Sequence, residues 1–399
     1  MVLGEVIKPI AEVAPGRRQR RWLSGYVQKS LAPMLAFTAA FIVGVGLLGQ
    51  IIPSPAIPSN VVFIGPKHDY YQAHRDDYNA IFFGSSRVFN QIVPDIFDAA
   101  ASLNKTSAGQ SNSVNSYNFG VPAMRAIDSL VLLEEVLSDP PENLQWVFFE
   151  SVLDKGYEPI ENARTYRSMY WHTWKNTRLA ADYIWASEAS LPSKLLFTFS
   201  HVLPALYRQL NVGRLFNQVL PSEFSAKHQS TVAEFTKDEG YFALTDEDSP
   251  RRQAFLANEA AYLEKVERLK VIARNEQNLP RAVTLQGSQQ KSGAMLPKNK
   301  RQLLQRVTRI VRAAGAEPIF IEPPSLEQDS DFKIAERLGD IETLLAYKDP
   351  EKFPQFYAFD QRYDADHLSE AASQAFSKTL GEDFRRVILK GRNVALKGS

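Results

Sequence analysis

The chain has 399 residues, of which 44% are hydrophobic and 23% charged, with a formal net charge of +1. That length exceeds one small core, the balance excludes wholesale disorder, and the near-neutral charge offers no field for nucleic acid, for which no binding motif is present either. The absence of cysteine excludes disulfides, thiolate catalysis and cysteine-ligated zinc, and six scattered histidines without an HExxH motif or a close pair give a metal site no support.

Residues 1–30 read as a basic cytoplasmic tail, with Arg17, Arg18, Arg20 and Arg21 just before Trp22. Leu31 to Ile52 then runs for 22 residues without a charge. A helix of that length spans about 33 Å, enough for the hydrocarbon core of a bilayer. The basic cluster precedes it, so the positive-inside rule puts the N-terminus in the cytoplasm and the main domain outside, in a periplasmic or extracellular space. A cleaved signal peptide is the alternative, but its apolar region would be shorter. Gly44 to Gly49 matches GxGxxG literally, yet it lies inside the apolar run and not between a strand and a helix, so it is no nucleotide loop.

Residues 53–77 read as a linker leading into the domain, stiffened by proline between Pro53 and Ser59. The domain's first part covers 78–156. Ala80-Ile81-Phe82-Phe83 reads as a buried strand that ends at Gly84-Ser85-Ser86. A helix is expected from about Pro94, and 103–115 is polar and loop-like. Ser116 to Phe119 reads as a second strand ending at Gly120, and Pro122 to about Leu137 as a helix stopped by Asp139-Pro140-Pro141. Trp146 to Phe149 is a third strand. Strands apolar on both faces, alternating with helices, predict an α/β fold with a parallel sheet covered on both sides.

Residues 157–296 break that rhythm and read as one long helical insertion. Its aromatic stripes (Tyr166, Tyr170 and Trp174; Phe255 and Tyr262) suit either a core or stacking on sugar rings. The second part of the domain, 297–390, holds a helix around Leu303 to Val311 that ends at Gly315. A strand over Pro318 to Ile321 follows, then a fifth over Phe356 to Phe359, and a final helix from Ser369 to about Leu380. Residues 391–399 read as a flexible tail.

The chemistry falls at strand ends, where open α/β sheets bind ligands. A serine needs a base within reach and donors for the developing oxyanion. Asp364-Ala365-Asp366-His367, just before the last helix, offers an aspartate that can orient an imidazole toward Ser86, the logic of a Ser-His-Asp triad. Arg87 and Arg125 lie just beyond two strand ends, placed either to meet an anionic substrate or to pair at the surface.

Gly84-Ser85-Ser86, Asn118-Phe119-Gly120 and Asp364-x-x-His367, in this order, resemble the SGNH or GDSL-type hydrolases and acyltransferases. The resemblance covers about 78–150 and 300–385. It implies a flavodoxin-like three-layer sheet, with Ser86 as nucleophile, His367 as base and Asp364 as its orienter. It also implies oxyanion donors in the amides of Ser86 and Gly120, and no cofactor. Ser85 replaces the family's aspartate. The family's third block, GxND, supplies an asparagine donor; here the chain reads Phe149-Glu150-Ser151-Val152, which leaves Asn118 or Ser151 to compensate. An N-terminal anchor before such a domain, with Gly-Ser-Ser-Arg in the first block, resembles proteins of alginate acetylation and teichoic-acid D-alanylation. Those work beside a membrane-bound O-acyltransferase partner. By that resemblance the chain would pass an acyl group, often acetyl, to an exported polysaccharide. A carbohydrate esterase and a non-catalytic cell-envelope component are the alternatives.

Overall fold

A computed structural model describes residues 31, 33–44, 47, 56–102, 113–210, 226–277, 296–327 and 331–397. The chain divides into two units, Met1–Pro53 with Gln209–Asn211, and Ser54–Arg208 with Val212–Ser399. In the first, residues 33–44 are helical and Met34, Leu35, Phe37 and Phe41 are exposed. Among the described residues no helix is long and apolar enough to cross a membrane. Much of the apolar run, including Ile51 and Ile52, lies outside them.

The second unit opens with α1 (Ile64–His74), where the sequence reads as linker; Val61, Ile64 and Tyr71 are core residues. Next come β1 (Ala80–Gly84), α2 (Ser86–Gln91), α3 (Pro94–Ala101) and β2 (Ser116–Gly120). Then α4 (Ala126–Val136) precedes β3 (Trp146–Phe149). The helix expected from Pro122 begins four residues later. Ala123 sits in a turn with φ +57°, and the Arg125 amide donates to the Asp128 side chain at 2.8 Å to open the first turn. Of residues 103–115, expected to be a loop, 103–112 lie outside the described segments.

The insertion supplies α5 (Tyr166–Trp171), α6 (Trp174–Trp185), α7 (Leu191–Gln209), α8 (Ala226–Lys237), α9 (Pro250–Leu256) and α10 (Glu259–Gln277). After it come α11 (Lys298–Ala313), β4 (Glu317–Glu322), α12 (Asp331–Leu338), β5 (Leu344–Ala346) and α13 (Glu370–Lys397). The fifth strand is thus not at Phe356 to Phe359, which fall in and beside short 3-10 turns, Pro354–Phe356 and Phe359–Gln361. Pro354 lacks the amide a strand would use, whereas Leu344–Ala346 pairs with Phe320–Glu322. The last helix runs to Lys397 rather than stopping near Leu380.

The five strands are parallel, in the order β2-β1-β3-β4-β5. Side chains alternate between two cores, as the two-residue period of a strand demands. Ile81, Phe83, Val147 and Phe149 face one, with α1, α4, α11 and α12. Ala80, Phe82, Trp146 and Phe148 face the other, with α3, α10 and α13. The result is the expected three-layer α/β arrangement. The insertion adds to both layers: Tyr170, Trp171 and Tyr183 join the first core, Phe255, Tyr262 and Val266 the second. Most of its aromatic stripe is therefore core. It also closes the outer edge of β2, where the Asn118 amide donates to Glu239 O at 2.9 Å. Buried Lys67 donates to Asn118 O at 2.7 Å and to Gly240 O. An open strand edge would otherwise invite a further strand.

Within the insertion two imidazoles meet. His172 and His201 are buried, with Nε2 and Nδ1 2.9 Å apart. Their outer nitrogens face Ser168 O at 2.6 Å and Gly156 O at 2.8 Å. Burial lowers the pKa of both, that of His201 to about 4. An imidazole that stays neutral in the fold but takes a proton in the unfolded chain makes acid destabilising. The stability due to His201 is complete above about pH 6.5 and is lost at up to about 1.4 kcal/mol per pH unit on the way down to the folded value. Urea unfolding at pH 7 and pH 5 should show that fall, and His201→Gln should flatten it.

Candidate active site

The register of the sheet brings the motif residues to one level. Gly84 pairs with Gly120 across β1 and β2, and Phe83 with Phe149 across β1 and β3. The turn after β1, the turn after β2 and Glu150 therefore sit side by side at the carboxyl edge. Two glycines are required there by close approach. A Cβ on Gly84 would lie 2.4 Å from the Val88 side chain and 2.6 Å from Glu150 Oε2. One on Gly120 would lie 2.4 Å from the Phe89 backbone nitrogen. Any side chain at either position would push α2 off the sheet.

Ser85 is the N-cap of α2, its hydroxyl accepting from the Arg87 amide at 3.3 Å. Ser86 follows as the first residue of the helix, where leading amides lack an intrahelical acceptor. The insertion holds this short helix from outside. The Phe242 amide donates to Phe89 O at 3.1 Å, and Asn90 Nδ2 donates to Phe242 O at 2.8 Å.

His367 reaches Ser86 across 281 residues of sequence, its Nε2 lying 2.8 Å from Ser86 Oγ. Its Nδ1 is 3.0 and 3.1 Å from the two Asp364 oxygens. Asp364 and His367 are both 3% exposed, so this contact is shielded from water. A carboxylate only accepts, so Nδ1 carries the proton and Nε2 is left to take one from the serine hydroxyl. Asp364 Oδ1 also accepts from the amides of Asp366 at 2.7 Å and His367 at 2.9 Å. Burial pushes the Asp364 carboxyl up. The hydrogen bond and charge of His367, the Asp366 amide and Arg251 outweigh it and hold the group below the usual carboxylate range. The three residues expected to act together are thus brought together.

Arg251, from the first turn of α9, is a residue that sequence reasoning missed. Its Nε lies 2.6 Å from Asp364 Oδ2 and its Nη2 2.9 Å from His367 Nδ1. With the Nδ1 proton directed at Asp364, the Nε contact is the bond that counts. No spacing rule links a residue of the insertion to a motif more than a hundred positions later; only its basic charge at a helix start was visible.

The oxyanion donors expected beside Ser86 need correction. The Gly120 amide donates to Asn118 Oδ1 at 2.9 Å. Asn118 Nδ2 donates to Val88 O at 2.8 Å and Ile92 O at 2.7 Å. Asn118 therefore ties β2 to α2, and neither group is turned toward substrate. Ser151 Oγ is buried without a partner among the described residues. At the end of β3, just before Ser151, Glu150 accepts from the Ser85 amide at 2.6 Å and pairs with Arg87. Arg87 is buried and also pairs with Glu327, while its Nη1 reaches Ser325 Oγ at 3.3 Å. It braces the turn that carries Ser86, and it also lines the cleft beside Ser86. Arg125 is partly exposed, 3.5 Å from Asp154 and bonded to Tyr157 O.

Ser86, His367, Arg125 and Arg251 line one open cleft of about 600 Å³, with Met124 and Asp154 on its wall. Its volume lies in the range of small-molecule sites. No group of three or more metal-ligating side chains occurs among the described residues.

No family model matches the chain, and no curated protein matches it.

An exposed arginine pairing with a buried carboxylate contributes about 1 kcal/mol after solvent screening. Arg251→Ala should therefore slow covalent labelling of Ser86 about fivefold. It should also raise the pH at which Asp364 takes its proton, read by carboxyl carbon NMR. An unchanged titration would remove Arg251 from the site.

Proposed function

We propose that the chain is a serine-dependent O-acyltransferase or esterase of the SGNH type, anchored through residues 31–52 with its main domain outside the cytoplasm. The observation that carries this reading is the Ser86–His367–Asp364 relay, with Nε2 2.8 Å from Oγ on one side and Nδ1 3.0 Å from the carboxylate on the other. The level strand ends and the DxxH placement support the family assignment.

In the proposed reaction Ser86 Oγ attacks the acyl carbonyl carbon as His367 Nε2 removes its proton. The carbonyl electron pair moves to oxygen, near the Ser86 amide. Asp364 keeps its place on Nδ1 and steadies the imidazolium. Collapse expels the leaving alkoxide, which takes the proton from His367, and leaves an acyl ester on Ser86. A sugar hydroxyl or water, deprotonated by the same imidazole, then attacks the ester carbonyl carbon, and Ser86 Oγ leaves with the proton that His367 returns. Transfer to an exported polysaccharide and hydrolysis differ only in that acceptor. A membrane-bound O-acyltransferase is the partner that would supply the acyl group.

A second reading, a non-catalytic cell-envelope component, is favoured by the engaged amides of Gly120 and Asn118. Losing one oxyanion donor costs about 3 kcal/mol of transition-state stabilisation in sites of this type. The two readings part on one experiment. Full-length protein treated with a fluorophosphonate should carry the adduct on Ser86 by mass spectrometry. Ser86→Ala should abolish it, and His367→Ala should slow it at least about a hundredfold. Folded protein that takes no adduct would establish the second reading. Release of acyl groups to water or to an oligosaccharide then separates esterase from transferase.

A further inference from the structure

The helix α7 carries an apolar stripe that the domain leaves uncovered. Its buried side holds Ser200 and His201 with Pro204 and Ala205, while Leu195 and Phe199 are 56% and 52% exposed. Leu191, Leu195, Phe199 and Leu206 fall on one stripe at helical spacing, and all are exposed. A helix docked on a soluble domain carries the opposite pattern. The polar side is fixed, because His201 is held between His172 and Gly156 O. The helix therefore cannot roll its apolar stripe inward without breaking buried hydrogen bonds.

Two further observations identify what covers this stripe. Arg208, in the last turn of α7, lines one small cavity together with Ala56 and Ile57. Three residues, Pro53 to Pro55, separate Ala56 from the apolar run that ends at Ile52. Extended, they span about 10 Å. At the other end, Lys194 Nζ donates to Trp185 O at 3.0 Å, which sets the half-exposed Trp185 beside the start of the helix. Tryptophan is favoured at the lipid–water boundary.

We propose that the exposed face of α7 beds in the outer surface of the lipid bilayer, as an interfacial helix lying along the membrane. The inference rests on reading residues 31–52 as the membrane anchor. A tether of three residues then holds the end of α7 near the headgroups. The anchor and α7 together would fix the orientation of the domain, where one tether alone would leave it free to turn.

The chain has no cysteine, so single labels can be placed without background. Leu195→Cys, Phe199→Cys and Leu206→Cys variants of the full-length protein, each spin-labelled, are reconstituted in vesicles of phosphatidylethanolamine and phosphatidylglycerol. Phe41→Cys reports the anchor and Asp360→Cys reports water. These positions are exposed or partly exposed, so the labels leave the core intact. The three α7 labels should show an oxygen-to-nickel accessibility ratio several-fold above that of Asp360→Cys and close to that of Phe41→Cys. A water-like ratio on α7 with a lipid-like ratio at Phe41→Cys overturns the proposal and leaves the anchor standing. A water-like ratio at Phe41→Cys with a lipid-like ratio on α7 overturns the anchor alone. Protection of α7 from both reagents, or spin–spin broadening between copies, shows that protein covers the stripe and overturns the proposal.

Discussion

The carboxylate of Asp364 gathers the donors that make the cleft a possible site of chemistry. It accepts from two backbone amides of its own turn, from the His367 imidazole and from Arg251 of the insertion. The amides come from residues 366 and 367, so the carboxylate closes its turn locally before it orients anything. Its bond to Nδ1 then leaves His367 one direction to present Nε2, toward Ser86. An imidazole held only at one nitrogen by water would sample many orientations. Here the orientation follows from the spacing of Asp364 and His367 along one turn.

The other half of the site depends on the sheet. Parallel pairing in register sets Gly84, Gly120 and the residue after Phe149 at the same height. Helix α2 then begins directly above them, close enough that a Cβ on either glycine would collide with it. Asn118 completes the junction by giving both its amide hydrogens to carbonyls of the chain segment Val88 to Ile92. A buried side-chain amide satisfied on all sides holds two backbones in a unique relation, since any shift leaves a polar group unpaired. The motif Asn118-Phe119-Gly120 thus serves to seat the helix that begins at Ser86.

Much of this was legible in the sequence. The first four strands appear as apolar runs bounded by turn residues, and the alternation with helices gave the layer arrangement. Ser86, His367 and Asp364 could be paired because each stood at the end of an expected element. The fifth strand escaped because three residues are too few for a pattern, and the aromatic run Phe356 to Phe359 offered a louder signal. The start of α4 was misplaced because Pro122 suits a first helical turn, while the positive φ at Ala123 is a tertiary outcome. The roles of Asn118 and Gly120 were not legible either: an amide that could face a substrate and one that faces a neighbouring carbonyl look alike in one dimension. Arg251 was invisible for the same reason, since convergence of an insertion on a distant motif leaves no local trace.

Glu150 ties these misreadings together. Against the pattern of the SGNH resemblance, the chain lacks an acid at position 85 and carries one at position 150, one residue before Ser151, which stands where the pattern has its asparagine. In space the two positions touch: the Ser85 amide donates to Glu150 Oε2, and Arg87 pairs with the same carboxylate. The negative charge sits at the strand end adjacent to the turn, and Arg87, which also pairs with Glu327, balances it there. A carboxylate can fix the turn, but it cannot donate to an oxyanion. Glu150 therefore supports the turn that carries Ser86.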